Sequence, residues 1–462
     1  MDGAGNMRGV YKGMQALILK EAPKAIYIWC HAHRLNLVVA HVCGCKIEMK
    51  KAMGILDELY NFMNGVRRQG VFVKYQMRKS KKSLKRIKNT TRNWSSSYKS
   101  VEIFLDVYEH ILASLVELKD SNDPSTSSIA DGLLSRIKDE NFILSLFILK
   151  EILKCTHEAC IEMQAVGNDL ALVTKLIQHT KNKLQKLKAN GDSLFLKLHS
   201  LSNSFLKKNN VITDLYNMKS IFKLDQTEFN NYVEQKKNKY RTEIFFPVLN
   251  AIINHLNDRF NYDCLNFLSQ ISIFTPAGIM DNEKIEGWQI SEICNTYQLD
   301  VQNIVDEYND FRSLYLESQS IIFCEDLLKV KKNDAVYIDE SIANDQITKE
   351  NINSEIMTKI KKWIKFSFIL PYRLLNQLNS YSNLNLLYKY LLTLPKTSCS
   401  AERAMSKVKI NKTRMRNKIS DPFLENLLLI SSEIDVFEKF TIDDIITQFA
   451  LTSIRLSKLL IK

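Results

Sequence analysis

The chain is poor in the residues that interrupt regular structure. Its 462 residues include only 13 Gly and 7 Pro, whereas 45% are hydrophobic and 10% are aromatic. Barrels and sandwiches need many turns, so this composition disfavours an all-β fold. The apolar content is high enough to form a core, which excludes a globally disordered chain. We expect a mainly α protein of about three domains, or one core split by a large insertion.

Long apolar runs and a disulfide framework are also absent. No apolar run approaches the roughly 20 residues that span a bilayer, and the N-terminus lacks a secretory signal pattern. The nine cysteines are an odd number and are spread along the chain, which favours buried thiols over disulfides. These absences predict a soluble, intracellular protein that has no membrane partner.

Positive charge exceeds negative charge. The 64 Lys and Arg residues outnumber the 51 Asp and Glu residues, which gives a net charge of +13. Such a balance is compatible with a polyanionic partner. Basic residues are concentrated in two runs, the first at 403–418 and the second at 78–92. In the run at 78–92, eight of fifteen residues are basic and none is acidic. The second run is either a solvated loop or a nucleic-acid contact, and its candidate contact residues are Lys81, Lys82, Lys85, Arg86 and Lys88.

Hydrophobic periodicity predicts helices along most of the chain. Apolar residues have helical spacing at 10–19, and the apolar segment 35–42 is predicted to open another helix. A polar break between helices is expected at 120–128. The short segment 25–29, rich in aromatic and β-branched residues, predicts a buried strand. The residues at 333–353 are acidic and polar and predict a loop. Further helices are predicted at about 131–155, 157–190, 192–208, 225–237 and 243–259, and after Pro371 and Pro395.

Two candidate metal sites occur near the N-terminus, a cluster of Cys and His residues and the single carboxylate of Asp2. Zinc needs four converging ligands, usually from two spaced pairs. The first cluster does not have that spacing, so local packing is the favoured interpretation; its members are Cys30, His31, His33, His41, Cys43 and Cys45. Asp2 precedes glycines, and a carboxylate followed by small residues can hold Mg²⁺ together with carboxylates from distant segments. An ordinary Asp-Gly turn is the alternative.

The C-terminal segment contains helix-start signals. Ser398 or Ser400 can cap a helix whose first turn contains Glu402, and Asp421 with Pro422 predicts the start of another. The second helix has one broad apolar face, which packs on the chain's own core or forms a subunit interface. That face consists of Phe423, Leu424, Leu427, Leu428 and Ile430.

Several segments form a recognisable series along the chain. They are Asp2-Gly3-Ala4-Gly5-Asn6-Met7, Cys30-His31-Ala32-His33-Arg34-Leu35-Asn36-Leu37, Thr91-Arg92-Asn93-Trp94-Ser95-Ser96, Tyr240-Arg241, Arg259-Phe260, and Ser400-Ala401-Glu402-Arg403 with Ser406, Lys412, Arg416, Leu424 and Leu427. In this order they resemble the hAT superfamily of DNA transposases, and the similarity is greatest to the branch of zinc-finger MYM-type protein 1-like and repressor-of-kinase-inhibitor-like proteins. The resemblance covers residues 2 to about 432, and the second and last segments are specific when they occur together.

The resemblance implies a partial RNase H-like α/β core of few strands that a large helical insertion interrupts. We therefore expect core residues at 1–100, the insertion at 101–295, a core helix and polar loop at 296–370, and a dimerisation region at 371–462. The implied dimerisation residues are Ser400, Glu402, Arg403, Met405, Arg416, Phe423, Leu424, Leu427 and Leu428.

The resemblance also implies an Asp/Asp/Glu metal site. Asp2 matches its second aspartate, and the first would lie upstream on a strand that this chain does not contain. Glu307 is the favoured glutamate, with Asp306 and Glu317 as alternatives. The implied neighbours of the site are Cys30, His33, Arg34 and Asn36.

The expected function is that of a transposase-derived nuclear protein without catalytic activity, which dimerises with a second copy or with a related transposase-like chain and contacts DNA nonspecifically. No cofactor is then expected. The alternatives are a basic DNA-binding module and a metal-dependent strand transferase or nuclease. The enzyme would use Mg²⁺ or Mn²⁺ at Asp2 and Glu307, in a site completed by sequence missing here.

Overall fold

The computed structural model of the protein is helical throughout the part of the chain that it describes. The described residues are 9–79, 96–164, 170–211, 226–333, 368–378, 380–394, 419–433 and 440–453, with the isolated positions 7, 87, 407, 408, 411, 412 and 437. Within these residues there is no β-strand. The expectation of a mainly α protein is therefore confirmed.

Twenty α-helices, a π-helix and a 3₁₀ turn make up the described part of the chain. The first ten are α1 (Met14–Glu21), α2 (His31–Gly44), α3 (Ile47–Met63), α4 (Val66–Lys79), α5 (Ser96–Asp106), α6 (Tyr108–Lys119), α7 (Pro124–Ile137), α8 (Glu140–Gln164), α9 (Leu170–Ala189) and α10 (Gly191–Lys208). Then come α11 (Gln226–Tyr240), a π-helix (Arg241–Phe245), α12 (Phe246–Arg259), α13 (Tyr262–Ile273), α14 (Pro276–Asp281), a 3₁₀ turn (Gly287–Gln289), α15 (Ser291–Tyr297) and α16 (Val301–Asn333). The last are α17 (Ile369–Gln377), α18 (Ser382–Thr393), α19 (Asp421–Ser432) and α20 (Ile442–Ala450).

The chain divides into two compact units. The first comprises 1–313 and 362–396, and the second comprises 314–361 and 397–462. These limits differ from the boundaries expected after residues 100, 295 and 370, which remain predictions.

Helix α8 is the centre of the first unit. It packs against α2, α3, α5, α9 and α10. Consecutive residues such as Phe142, Ile143 and Leu144 are all buried, as are Ile148, Leu149 and others along its length. The first half of α8 is therefore apolar nearly all round, and such a segment is stable only when other helices cover it, whereas the second half exposes Lys154 and Glu158.

The polar break expected at 120–128 is shorter in the structure. Helix α7 already begins at Pro124, because the Asp123 side chain accepts hydrogen bonds from the backbone N–H groups of Ser125 and Thr126. These bonds satisfy donors that have no partner within the helix, and Pro lacks such a donor. The local polar residues therefore start the helix rather than extend the loop.

The predicted strand at 25–29 is wrong. This segment is a connection without regular secondary structure between α1 and α2, although Ile28 and Cys30 are buried. The aromatic and β-branched composition that predicts a strand also suits a buried connection, because apolar side chains are favoured wherever the backbone is removed from water. The RNase H-like core consequently remains a prediction.

Two predicted C-terminal helix starts also differ from the structure. Pro371 lies within the first turn of α17, where the missing N–H removes no helical hydrogen bond. Helix α19 has Ser420 at its N-cap, so that Asp421 is its first residue and not its cap. Of the loop expected at 333–353, Asn333 is the last residue of α16, and the rest, like Pro395, lies outside the described residues. No helix in the described part of the chain is long and apolar enough to cross a membrane.

Candidate nucleic-acid interface

Four segments of the first unit meet at the N-terminal end of α2. Trp29 immediately precedes this helix and Arg34 lies in its first turns. Arg259 ends α12 and Phe260 follows it, and Lys181 comes from α9. Helices α2, α9 and α12 are brought together because α12 packs on both of the others. We call these five residues the cation–aromatic cluster.

Cations and rings alternate within the cluster. The Arg34 guanidinium carbon lies 4.8 Å from the Trp29 ring centre and 5.7 Å from that of Phe260. The Arg259 guanidinium carbon lies 5.3 Å from the same Trp29 ring. A ring that holds two guanidinium groups within about 6 Å is stabilised by its attraction to both cations. Trp29 therefore keeps two positive charges close to each other.

Arg34 and Lys181 donate hydrogen bonds to groups that carry no negative charge in these contacts. Arg34 Nη1 donates to Cys264 Sγ at 2.7 Å, and Lys181 Nζ donates to the Phe260 carbonyl oxygen at 3.0 Å. None of the ion pairs among the described residues involves Arg34, Lys181 or Arg259. Partial burial lowers the pKa of Lys181. Three cations thus converge without a carboxylate from the described part of the chain, next to the positive end of the α2 dipole.

His31 lies beside the cation–aromatic cluster and adds no positive charge to it at pH 7. It is buried, and neither ring nitrogen has a hydrogen-bond partner among the described residues. Burial and the nearby positive charge of Arg34 lower its pKa to about 3. The imidazole is therefore neutral at pH 7 and packs against Phe260, with ring centres 6.2 Å apart.

The four residues expected near an active site occupy the start of α2. Cys30 is its buried N-cap residue, Arg34 belongs to the cation–aromatic cluster, and His33 and Asn36 are partly buried. The sequence did not identify Lys181 or Trp29 as members of the site. Arg259 was included only as part of a family-like pair, because nothing local shows that it meets Arg34.

The potential zinc ligands do not converge. Cys30 and Cys45 cap opposite ends of α2, a helix of 14 residues that is about 21 Å long. His41 stacks on His255 with ring centres 4.1 Å apart, and burial raises the pKa of Cys43 to about 12. In the described part of the chain no three His, Cys, Asp or Glu side chains are placed to hold a metal ion, and no disulfide is present.

Glu307, the favoured catalytic glutamate, caps a helix. Its Oε2 accepts from the Leu384 backbone N–H at 2.7 Å, and its Oε1 accepts from the Asn383 side chain at 2.7 Å and backbone at 3.3 Å. The carboxylate therefore replaces the missing side-chain cap at the N-terminus of α18. Its alternative Asp306 is exposed and accepts from Gln302 one turn away.

Many predicted site residues lie outside the described residues. They are Asp2, Lys81, Lys82, Lys85, Arg86, Lys88, Ser400, Glu402, Arg403, Met405 and Arg416. On α19, Leu424, Leu427 and Leu428 are partly buried and Phe423 is exposed. No family model matches the chain.

Proposed function

We propose that the chain is a transposase-derived nuclear protein that contacts DNA nonspecifically and acts as a homodimer. The cation–aromatic cluster is the observation that supports DNA contact. Its three cations lack carboxylate partners among the described residues, and cations in that condition gain the most from neutralising phosphate. The resemblance to hAT transposases supports the transposase-derived part of the proposal, and the RNase H-like core belongs to the same proposal.

The chemistry of the cluster suits a nucleic-acid backbone better than an isolated anion. Phosphate contacts by Arg and Lys supply sequence-independent affinity, and aromatic rings stack on bases without reading sequence. Trp29 is partly exposed beside Arg34 and Arg259, whereas Phe260 is fully buried and positions Arg34 and Lys181 from beneath. The cluster therefore favours nonspecific DNA contact.

Dimerisation is supported by the surface of α20. Thr441 and Asp444 cap this helix reciprocally, with the Thr441 Oγ1 accepting from the Asp444 N–H at 3.1 Å and the Asp444 Oδ2 accepting from the Thr441 N–H at 2.9 Å. Only Ala450 is buried, while its apolar face of Ile442, Ile445, Ile446 and Phe449 is exposed. A nine-residue helix gains little stability by itself. We assign that face to a second copy of the chain.

The enzyme alternative has less support. A two-metal reaction needs several carboxylates whose oxygens are available to the ions. Both oxygens of Glu307 accept hydrogen bonds from the start of α18. Cleavage of linear DNA with Mg²⁺ or Mn²⁺ that is abolished by Asp2→Ala would establish the enzyme alternative.

The DNA contact is tested by fluorescence anisotropy of a labelled linear duplex titrated with protein. We expect log Kd to depend steeply on salt between about 50 and 200 mM, because each phosphate contact releases counterions. Lys181→Gln and Arg259→Gln should each weaken binding at low salt and reduce the salt slope by about 1.

Matched controls come from paired cations. Lys183 lies on the same helix as Lys181 but pairs with Glu158 at 2.6 Å, and Arg136 pairs with Glu58 at 2.6 Å. Lys183→Gln and Arg136→Gln should change the salt slope much less. Binding that ignores salt, or equal effects of all four substitutions, would contradict the proposed interface.

A further inference from the structure

A second site lies elsewhere in the first unit. It is a groove of about 1060 Å³ between α3, the connection from α7 to α8, and the end of α11 with the following π-helix. Drug-sized ligands occupy pockets of roughly 300–1000 Å³, so the space is sufficient for a small molecule or a side chain of a partner. It shares no residue with the cation–aromatic cluster, and its chemistry is different.

The buried part of the groove is mostly apolar. Ala52, Phe142 and Ile244 are buried side chains that line it. Two hydroxyls, those of Ser145 and Tyr240, are buried among the same lining residues. An apolar surface with few polar groups selects a ligand that has an apolar body and one polar end.

The hydroxyl hydrogens of that surface are already committed. Ser145 Oγ donates to the Asn141 carbonyl oxygen at 2.7 Å, and the Tyr240 hydroxyl lies 2.6 Å from Ser145 Oγ. Either hydroxyl can donate in that contact, and the Tyr240 hydroxyl also lies 3.4 Å from the Asn141 carbonyl oxygen, so both hydrogens have acceptors within this group of three residues. Each hydroxyl has one hydrogen, so the capacity that remains at Tyr240 is to accept a hydrogen bond.

Glu48 adds an unused acceptor beside this pair. It lines the groove, and its buried Oε2 has no hydrogen-bond partner among the described residues. Glu48 and Asp139 line the same groove as Tyr240. Burial raises the pKa of the Tyr240 phenol, and the negative charges of these two carboxylates raise it further. A carboxylate oxygen removed from water without a partner is costly, and a bound cation would offset that cost.

The other charges around the groove are paired or exposed to solvent. Glu58 accepts two hydrogen bonds from Arg136, both at 2.6 Å, and Lys236 lies 3.7 Å from Glu140. Lys51, Lys239 and Glu243 line the groove at exposed positions, where water screens their charge. The unsatisfied groups nearest the apolar surface are therefore acceptors.

We propose that this groove binds an ammonium or guanidinium group carried on an apolar stem, with Glu48 as its counter-ion and Tyr240 as a second acceptor. The stem would lie against Phe142 and Ile244. A free alkylamine and the Lys or Arg side chain of a partner protein share this chemistry. The proposal is independent of the DNA interface.

The test is ligand-observed saturation-transfer NMR on the full chain. The probes are pentylamine, 1-pentanol and pentanoate, which have similar stems but positive, neutral and negative ends. We expect saturable binding of pentylamine below about 10 mM and at least about tenfold weaker binding of the other two. N-acetyl-lysine amide and N-acetyl-arginine amide distinguish a protein side chain from a free amine.

Two variants separate the proposed counter-ion from general surface charge. Glu48→Gln preserves shape and should weaken pentylamine binding at least about tenfold, whereas Glu58→Gln removes a carboxylate already paired with Arg136 and should change it less than about twofold. Circular dichroism checks that both variants fold. No binding of any cationic probe, equal binding of pentanoate, or full binding by folded Glu48→Gln would overturn the proposal.

Discussion

At the scale of single residues, His31 has the most demanding environment near the candidate interface. The side chain is 4% exposed, and burial with the charge of Arg34 lowers its pKa to about 3 from 6.5. Between these two values the unfolded chain binds a proton that the folded protein excludes. The free energy of unfolding therefore decreases as pH falls through this window.

We expect His31→Phe to reduce the acid sensitivity of the protein. Phe fills a similar space and takes up no proton, so the stability difference between wild type and variant should change by about 2 kcal/mol from pH 7 to pH 5 in favour of the variant. Urea unfolding at the two pH values measures it. His179, on α9, is exposed, and His179→Phe should leave the wild-type pH dependence intact. Parallel curves for wild type and His31→Phe would refute the expected proton linkage.

Prediction of the candidate site from sequence succeeded for residues near one another in the chain. Arg34 belongs to a recognisable block, and the structure places it in the cation–aromatic cluster. Lys181 lies almost 150 positions later, on an ordinary amphipathic helix with several other lysines. Its membership depends on a hydrogen bond to the carbonyl oxygen of Phe260, a contact that no local pattern shows.

At the scale of helices, α16 and α18 show how one helix completes another. Ser382 begins α18, and no side chain of its own N-terminal segment caps it. Glu307 on α16 supplies the acceptors instead, and Tyr381 donates to Asp310 at 2.8 Å beside it. In the acidic run at 306–310, the resemblance implies that Glu307, or alternatively Asp306, is a metal ligand. In the structure two of its carboxylates attach the start of α18 to α16.

Removing this cap should destabilise the fold. We expect Glu307→Ala to lower the free energy of unfolding by about 1–3 kcal/mol, because backbone donors of α18 lose their charged acceptor. Asp306→Ala on the same helix removes an exposed carboxylate and should cost less than about 0.5 kcal/mol. Chemical denaturation monitored by circular dichroism measures both. Equal stability of the two variants would show that the cap contributes nothing.

At the scale of the whole molecule, positive charge is not confined to the two basic runs of the sequence. The runs at 78–92 and 403–418 lie mostly outside the described residues. The structure adds a third location, where Arg34, Lys181 and Arg259 come from helices far apart in sequence. This location requires folding, whereas a basic run keeps its charge density in any conformation.

The second unit provides the test of self-association. Ile442 is 76% exposed and Phe449 is 56% exposed on α20. If this face contacts a second copy, Ile442→Lys with Phe449→Lys places charges in an apolar interface and should convert a dimer to a monomer at micromolar concentration. Sedimentation velocity measures the change.

An equally exposed residue of the first unit is the control for that experiment. Val66 is 89% exposed, and Val66→Lys should leave the dimer intact. A wild-type chain that sediments as a monomer at micromolar concentration would eliminate the proposed dimer. A dimer that persists in the α20 variant would place the interface elsewhere.

The sequence by itself determined the helical class and most of the long helices. Scarce Gly and Pro with a 3.6-residue apolar period leave few alternatives to helix, and both signals are local. The same period predicted helices within 131–259. It did not predict that α7 starts early, at the Asp123 cap, or that a π-helix follows Tyr240.

Tertiary structure alone decided what those helices bring together. The segment 25–29 has a strand-like composition, yet it has no regular secondary structure, because strand formation depends on tertiary context as well as on the segment's own residues. Glu307 is of a residue type that binds metal ions, yet it caps α18, because a segment distant in sequence supplies its hydrogen-bond partners. A side chain's type is local information. Its partners are set by packing between segments that are distant in sequence, and those partners give the side chain its chemistry.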